Sequence, residues 1–184
     1  MKTGIRKIQG EAGFSLLEGL LAAVILVIAL MGLLSAMMSA SRLDQLSKQE
    51  VIASNAARQM METLRNYSDF SYIYKSYNGL ASDDPLGAGT APGGNFAVAG
   101  LSAQTSDADG FCGEILFPES SPGTLREDIT DTTCGTPMDL DGNGALDAAN
   151  HASDYTLLPV AVRVAWTAGG RNLNHTMRMV LSYR

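Results

Sequence analysis

The stretch Gly13-Phe14-Ser15-Leu16-Leu17-Glu18-Gly19-Leu20-Leu21-Ala22-Ala23-Val24 decides the reading of this chain. It opens an apolar segment that runs to Leu34 and, through small residues and methionines, to Ala40. About 20 apolar residues cross roughly 30 Å of hydrocarbon, and residues 20–40 meet that length. One carboxylate, Glu18, sits at the start of the segment. A charge inside a span costs roughly 2.5–3.5 kcal/mol or more, so Glu18 is read as a functional residue. Gly13 points to its partner. If the chain is cut after Gly13, the new α-amine of Phe14 lies on the same helical face as Glu18. In a helix bundle, the amine of one chain can instead pair with the Glu18 of another.

Gly13, Phe14 and Glu18 match, residue by residue, the class III signal of type IV prepilins and pseudopilins, and the segment resembles that family. Residues 1–13 would be the leader, with Lys2, Arg6 and Lys7 against Glu11. The resemblance implies cleavage between Gly13 and Phe14 by a prepilin peptidase and N-methylation of Phe14. It also implies assembly with other pilin subunits through the N-terminal helix, at an inner-membrane pilus assembly machinery. Two plainer readings compete. A secretory signal has a basic start and an apolar core, but its cleavage site follows the core. A single-pass anchor explains the length. Neither explains Glu18.

The 184 residues suffice for one modest domain beyond the helix. The net charge of -6 argues against a nucleic-acid partner held through phosphates. The basic residues before the span put the N-terminus in the cytoplasm by the positive-inside rule. A single-pass inner-membrane protein with an exported domain follows, and the family resemblance extends this to a pilus at the cell surface. Cys112 and Cys134 are the only cysteines. In an exported domain they are expected to form a disulfide, worth roughly 3 kcal/mol by the chain-entropy model.

The expected fold is α+β and type IV pilin-like, a long N-terminal helix on an antiparallel sheet of about four strands. Residues 14–40 are the transmembrane or filament-core part of that helix, and residues 41–66 its amphipathic continuation. Leu43, Leu46, Ala53, Ala57, Met60 and Leu64 recur at helical spacing on the face that needs a sheet. Gly19, Ala22, Ala23, Gly32, Ser35 and Ala36 are small enough for close helix approach, or ordinary for a span. Residues 67–184 form the exported domain. Tyr67, Phe70, Tyr72, Tyr74 and Tyr77 are read as packing where helix meets domain, and short strands are expected over 95–101 and 113–117.

The C-terminal end reads as a hairpin. Val160, Val162, Val164 and Trp166 alternate with Ala161, Arg163 and Ala165 over 157–167. Residues 168–171 supply turn chemistry, and 175–183 return with His175, Met177, Met179, Leu181 and Tyr183 on one face. Pro159 suggests an edge or the start of a strand. This ending and the helix segment 53–66 are similar to the PilV group of minor pilins, and pseudopilins of type II secretion share the layout.

Asp139-Leu140-Asp141-Gly142-Asn143-Gly144-Ala145-Leu146-Asp147 has the oxygen spacing of the first nine positions of an EF-hand-type loop. Asp139, Asp141, Asn143, the Ala145 carbonyl, Asp147 and Asn150 are the expected ligands of a calcium ion. Asn150 stands where an EF-hand has a bidentate Glu, and Pro137 where it has a helix, so a helix-free loop is expected. A solvated acidic turn is the alternative. His151 is read as a surface residue or an ion neighbour, and His175 as structural. There is no nucleophile elbow, phosphate loop or Cys-x-x-Cys, so no enzyme is expected. The three function classes are a minor type IV pilin precursor, a type II secretion minor pseudopilin, and a membrane-anchored calcium-binding or adhesive exodomain.

Overall fold

The computed structural model describes residues 16–183. The expected cleavage pair Gly13 and Phe14 lies outside the described residues. The chain divides into two compact units, Met1–Asp44 and Gln45–Arg184. Helix α1 (Leu16–Arg65) has 50 residues and no proline, in keeping with the expected 14–66. Its acidic first-turn residue is Glu18, which suits the positive end of the helix dipole.

In the first unit every described residue is exposed, Leu20, Val24, Val27, Leu30, Met31 and Leu34 included. A helix apolar on all sides has no face suited to water. Such a helix fits lipid or a bundle of like helices. It is long and apolar enough to cross a membrane.

The second unit is built on the remainder of α1 and a four-stranded antiparallel sheet. Ala53, Ala57, Met61 and Leu64 form the buried stripe of the helix. The buried methionine is Met61 rather than Met60, and Met60 and Leu46 pack beside the stripe half-buried. The small side chains of Ala53 and Ala57 let the helix backbone come near its neighbours. Strands β1 (Asn95–Phe96), β2 (Gly113–Leu116), β5 (Leu157–Ala168) and β6 (Arg171–Ser182) lie in the order β1-β2-β5-β6. Between β2 and β5 the chain adds a separate ribbon, β3 (Glu119–Ser121) with β4 (Thr124–Leu125).

The hairpin follows its sequence pattern. Val160, Val162, Val164 and Trp166 are fully buried. Gly169 and Gly170 both take positive φ, as a two-residue hairpin turn of the primed type requires. Pairing then begins at once, Ala168 opposite Arg171, so β6 starts four residues before the expected 175. Pro159 lies in the central strand β5. The Ala165 N–H donates to Cys112 C=O on the β2 side, so by alternation the Pro159 nitrogen also faces that side. The β2 pairing ends at Ala161, so no ladder bond is lost at Pro159.

Strand β1 is only two residues, shorter than the expected 95–101. It pairs Phe96 with Gly113, and a Cβ on Gly113 would meet the Phe96 ring at 2.3 Å. The glycine is the space that the ring fills. The ribbon β3–β4 and the short helix α2 (Ile73–Tyr77) lie outside the strands and helix expected from the sequence. Of the aromatic run, Tyr74 and Tyr77 are buried, Tyr67 stacks edge-on against Tyr77, and Phe70 against Tyr155. Tyr72 is exposed and takes no part in that packing.

The expected disulfide is absent. Cys112 and Cys134 are free, buried thiols at opposite ends of β2. Cys112 precedes the strand, and the Cys134 Sγ donates to Leu116 C=O at 3.6 Å at its far end. Four strand residues span about 13 Å, whereas a bridge needs Cα atoms within about 7 Å. Burial raises both thiol pKa values, aided by Asp107 at Cys112 and by Asp131 at Cys134, which is pushed up to about 12.

Candidate functional site

The acidic loop is closed at its base by backbone. Leu140 is fully buried, and its C=O accepts the N–H groups of Thr156 and Leu157 at 2.7 and 2.9 Å, the second at the start of β5. At the other side, Leu125 of β4 accepts from His151 N–H at 2.9 Å. The segment between is polar and rich in glycine, so its backbone donors need acceptors, and its own acidic side chains supply them.

Each expected ligand has a place in this scheme. Asp139 accepts from Gly142 and Gly144 N–H, both at 2.7 Å, and these bonds, Gly144 first, hold its carboxyl below the usual range. Asp141 accepts from the backbone and side-chain amides of Asn143 at 2.9 and 2.8 Å. The Asn143 side-chain oxygen accepts from Ala145 N–H at 2.7 Å. Asp147 accepts from Ala149 N–H at 2.7 Å and bonds His151. Asn150 is turned to another task. Its oxygen accepts from Leu125 and Ala152 N–H, and its amide donates to Gly123 C=O, so it ties the loop to the ribbon.

The sequence reading missed the organising residue, Glu127. Its side chain is fully buried. Its Oε1 accepts from Leu140 N–H at 2.6 Å and Asp141 N–H at 3.2 Å, and its Oε2 from Asp147 N–H at 3.2 Å. Three backbone donors satisfy a carboxylate that burial would otherwise destabilise. No spacing rule marks Glu127, which lies outside the loop motif. The surface reading of His151 is corrected: it is 3 % exposed.

Both nitrogens of His151 face carboxylates. Nε2 is 3.1 Å from Asp147 Oδ1 and 3.8 Å from Glu127 Oε1. Nδ1 is 3.2 Å from Asp154 Oδ1 and 3.9 Å from Asp141 Oδ2. Ionised carboxylates only accept, so the doubly protonated ring alone can donate on both sides. Burial by itself would lower the His151 pKa. The bond to Asp147 and the charges of Glu127, Asp154 and Asp147 outweigh it, and the net shift is upward. His151, when protonated, is therefore placed to balance the charge of these carboxylates.

Glu127, Asp141 and His151 can each turn one ligand atom within 4.8 Å of the others. They combine two carboxylates with one imidazole. Asp139, Asp141 and Asp147 add the hard oxygens that a calcium ion favours. A cation bound through His151 would replace its proton at that nitrogen, because a ligating imidazole is neutral. His175, the other histidine, bonds Glu50 at 3.0 Å between β6 and α1. That contact ties the sheet to the helix.

Compared with protein-family models, with curated proteins and with solved structures, the chain matches none.

Proposed function

We propose that this chain is a minor type IV pilin precursor, most like the PilV group, cut after Gly13 and assembled through its N-terminal helix. The observation that carries the reading is Glu18, the one charged residue of residues 16–41, a stretch of helix that is exposed on every side. Gly13 and Phe14 precede it at the spacing of a prepilin cleavage site. A long apolar helix together with a small antiparallel sheet suits such a subunit. In this reading the chain is inserted in the inner membrane with its N-terminus cytoplasmic. Glu18 then neutralises the Phe14 amine in a low-dielectric bundle and sets the axial register between subunits. The role is structural and not catalytic.

The acidic loop is proposed to take calcium, with Asp139, Asp141 and Asp147 as ligands and Glu127 as the buried post that holds their backbone. Asn150 leaves the ligand set, because its side chain is used on the ribbon.

Intact mass and N-terminal sequence of the protein from membranes test the main reading. A chain beginning at N-methyl-Phe14 supports it. A chain retaining residues 1–13 in cells with active peptidase would leave a membrane-anchored exodomain instead. A type II secretion pseudopilin shares the processing, and is separated by whether loss of the protein abolishes piliation or protein export.

A further inference from the structure

We infer that Asn143-Gly144 is a self-modification site, where the Gly144 nitrogen attacks the Asn143 side chain and converts it to aspartate or isoaspartate. The chain has two Asn-Gly steps, 78–79 and 143–144. A glycine after asparagine leaves the attacking nitrogen unshielded by a side chain. At Gly144 nothing lies within 4 Å of where a Cβ would stand. Asn143 and Gly144 are both exposed, so solvent base and water reach them.

One local bond favours the attack. Ala145 N–H donates to the Asn143 side-chain oxygen at 2.7 Å. That bond folds the side chain forward along the peptide it must react with, and draws electron density from the amide carbon. Gly144 N–H donates to Asp139 Oδ2 at 2.7 Å, a bond that must open before hydroxide takes the proton. The reaction balances with water alone. Hydroxide takes the Gly144 amide proton, the nitrogen bonds to Asn143 Cγ, and the Cγ–Nδ2 bond breaks. Ammonia leaves after taking a proton from water. Water then opens the five-membered imide at either carbonyl. Aspartate keeps the backbone, and isoaspartate lengthens it by one methylene. Both products lose the 2.8 Å bond from the Asn143 amide to Asp141 and add a negative charge beside Asp139, Asp141 and Asp147.

Asn78 is the internal control. Its side chain is folded forward in the same way, Leu80 N–H donating to its oxygen at 3.0 Å. Each side-chain amide is held by a carboxylate, Asn78 by Asp83 at 2.9 Å and Asn143 by Asp141, but Asn78 is buried and Asn143 exposed. Solvent access therefore separates the two steps.

The test is incubation of the full chain in detergent at mildly alkaline pH, native and in urea, with peptide mapping and enzymatic isoaspartate detection. In the native protein Asn143 should react about tenfold or more faster than Asn78, since exposing Asn78 requires breaking its buried bonds. In urea the two should react alike. Asn143→Gln, which would need a six-membered ring, should abolish the product at 143 while leaving the fold intact. Native Asn143 that reacts no faster than native Asn78 overturns the inference.

Discussion

The Nε2 of His151 lies 3.8 Å from the Oε1 of Glu127, and both side chains are cut off from solvent. The carboxylate orders the loop through three backbone N–H groups, and the imidazole balances charge from the other side. Residues far apart in sequence thus share one buried polar centre.

Glu127→Ala should be the most damaging substitution in this centre. It leaves three backbone donors without acceptors, each worth about 1–3 kcal/mol when buried and unsatisfied. The expected loss is about 3 kcal/mol or more, read from urea unfolding of the full chain in detergent. Glu127→Gln should cost less, because an amide oxygen still accepts. Wild-type stability in Glu127→Ala would show that the loop is held by other means.

Stability should fall as pH rises through the raised pKa of His151. Its folded pKa lies above the ordinary 6.5, so its contribution is complete below 6.5 and disappears as pH climbs through the folded value. Asp139 and Asp147 act in the opposite sense. Their folded values lie below 3.8, so their contribution is present above that value and is lost as pH falls through the folded ones. Thermal melting across this range should therefore show a plateau with two flanks. His151→Gln should flatten the alkaline flank and spare the acidic one. An alkaline flank unchanged by that substitution would assign it to another group.

Calcium should raise the melting temperature at millimolar concentration, as expected for a Kd of about 10⁻⁴–10⁻³ M. At about tenfold excess over Kd the gain is roughly 1.4 kcal/mol. Asp139→Asn and Asp147→Asn should each remove most of it. Asn150→Ala should leave the calcium response intact while lowering basal stability, because Asn150 bonds the ribbon. Identical melting in calcium and in chelator would remove the ion from the proposal.

Neither thiol should react in the folded protein. Both are buried, and burial holds them protonated. Maleimide labelling should be negligible under native conditions and complete in urea, with no change in melting on adding reductant. A reductant-sensitive melting temperature would restore the disulfide.

Glu18→Ala should be processed normally yet enter filaments poorly, because the cut site remains while the partner of the Phe14 amine is gone. Equal recovery of variant and wild type in sheared pili would refute the proposed role of Glu18.

Local rules carried the large elements. An unbroken apolar run without proline specifies a long helix, since its backbone must satisfy itself. Alternation from Val160 to Trp166, followed by Gly169-Gly170, specifies a hairpin because side chains alternate along a strand and two glycines accept positive φ. The helix and its sheet were legible for that reason. The acidic loop was legible as a loop, and Asp139, Asp141, Asn143 and Asp147 do organise it.

What the sequence left open depended on contacts between distant segments. The pairing of β2 with β5 separates Cys112 from Cys134, so spacing alone suggested a bridge that the strand forbids. Asn150 looked like a ligand by position, and the ribbon claims it. Glu127 carries no motif. Only the fold brings it beneath the loop, where buried backbone donors and the ring of His151 give its charge a place.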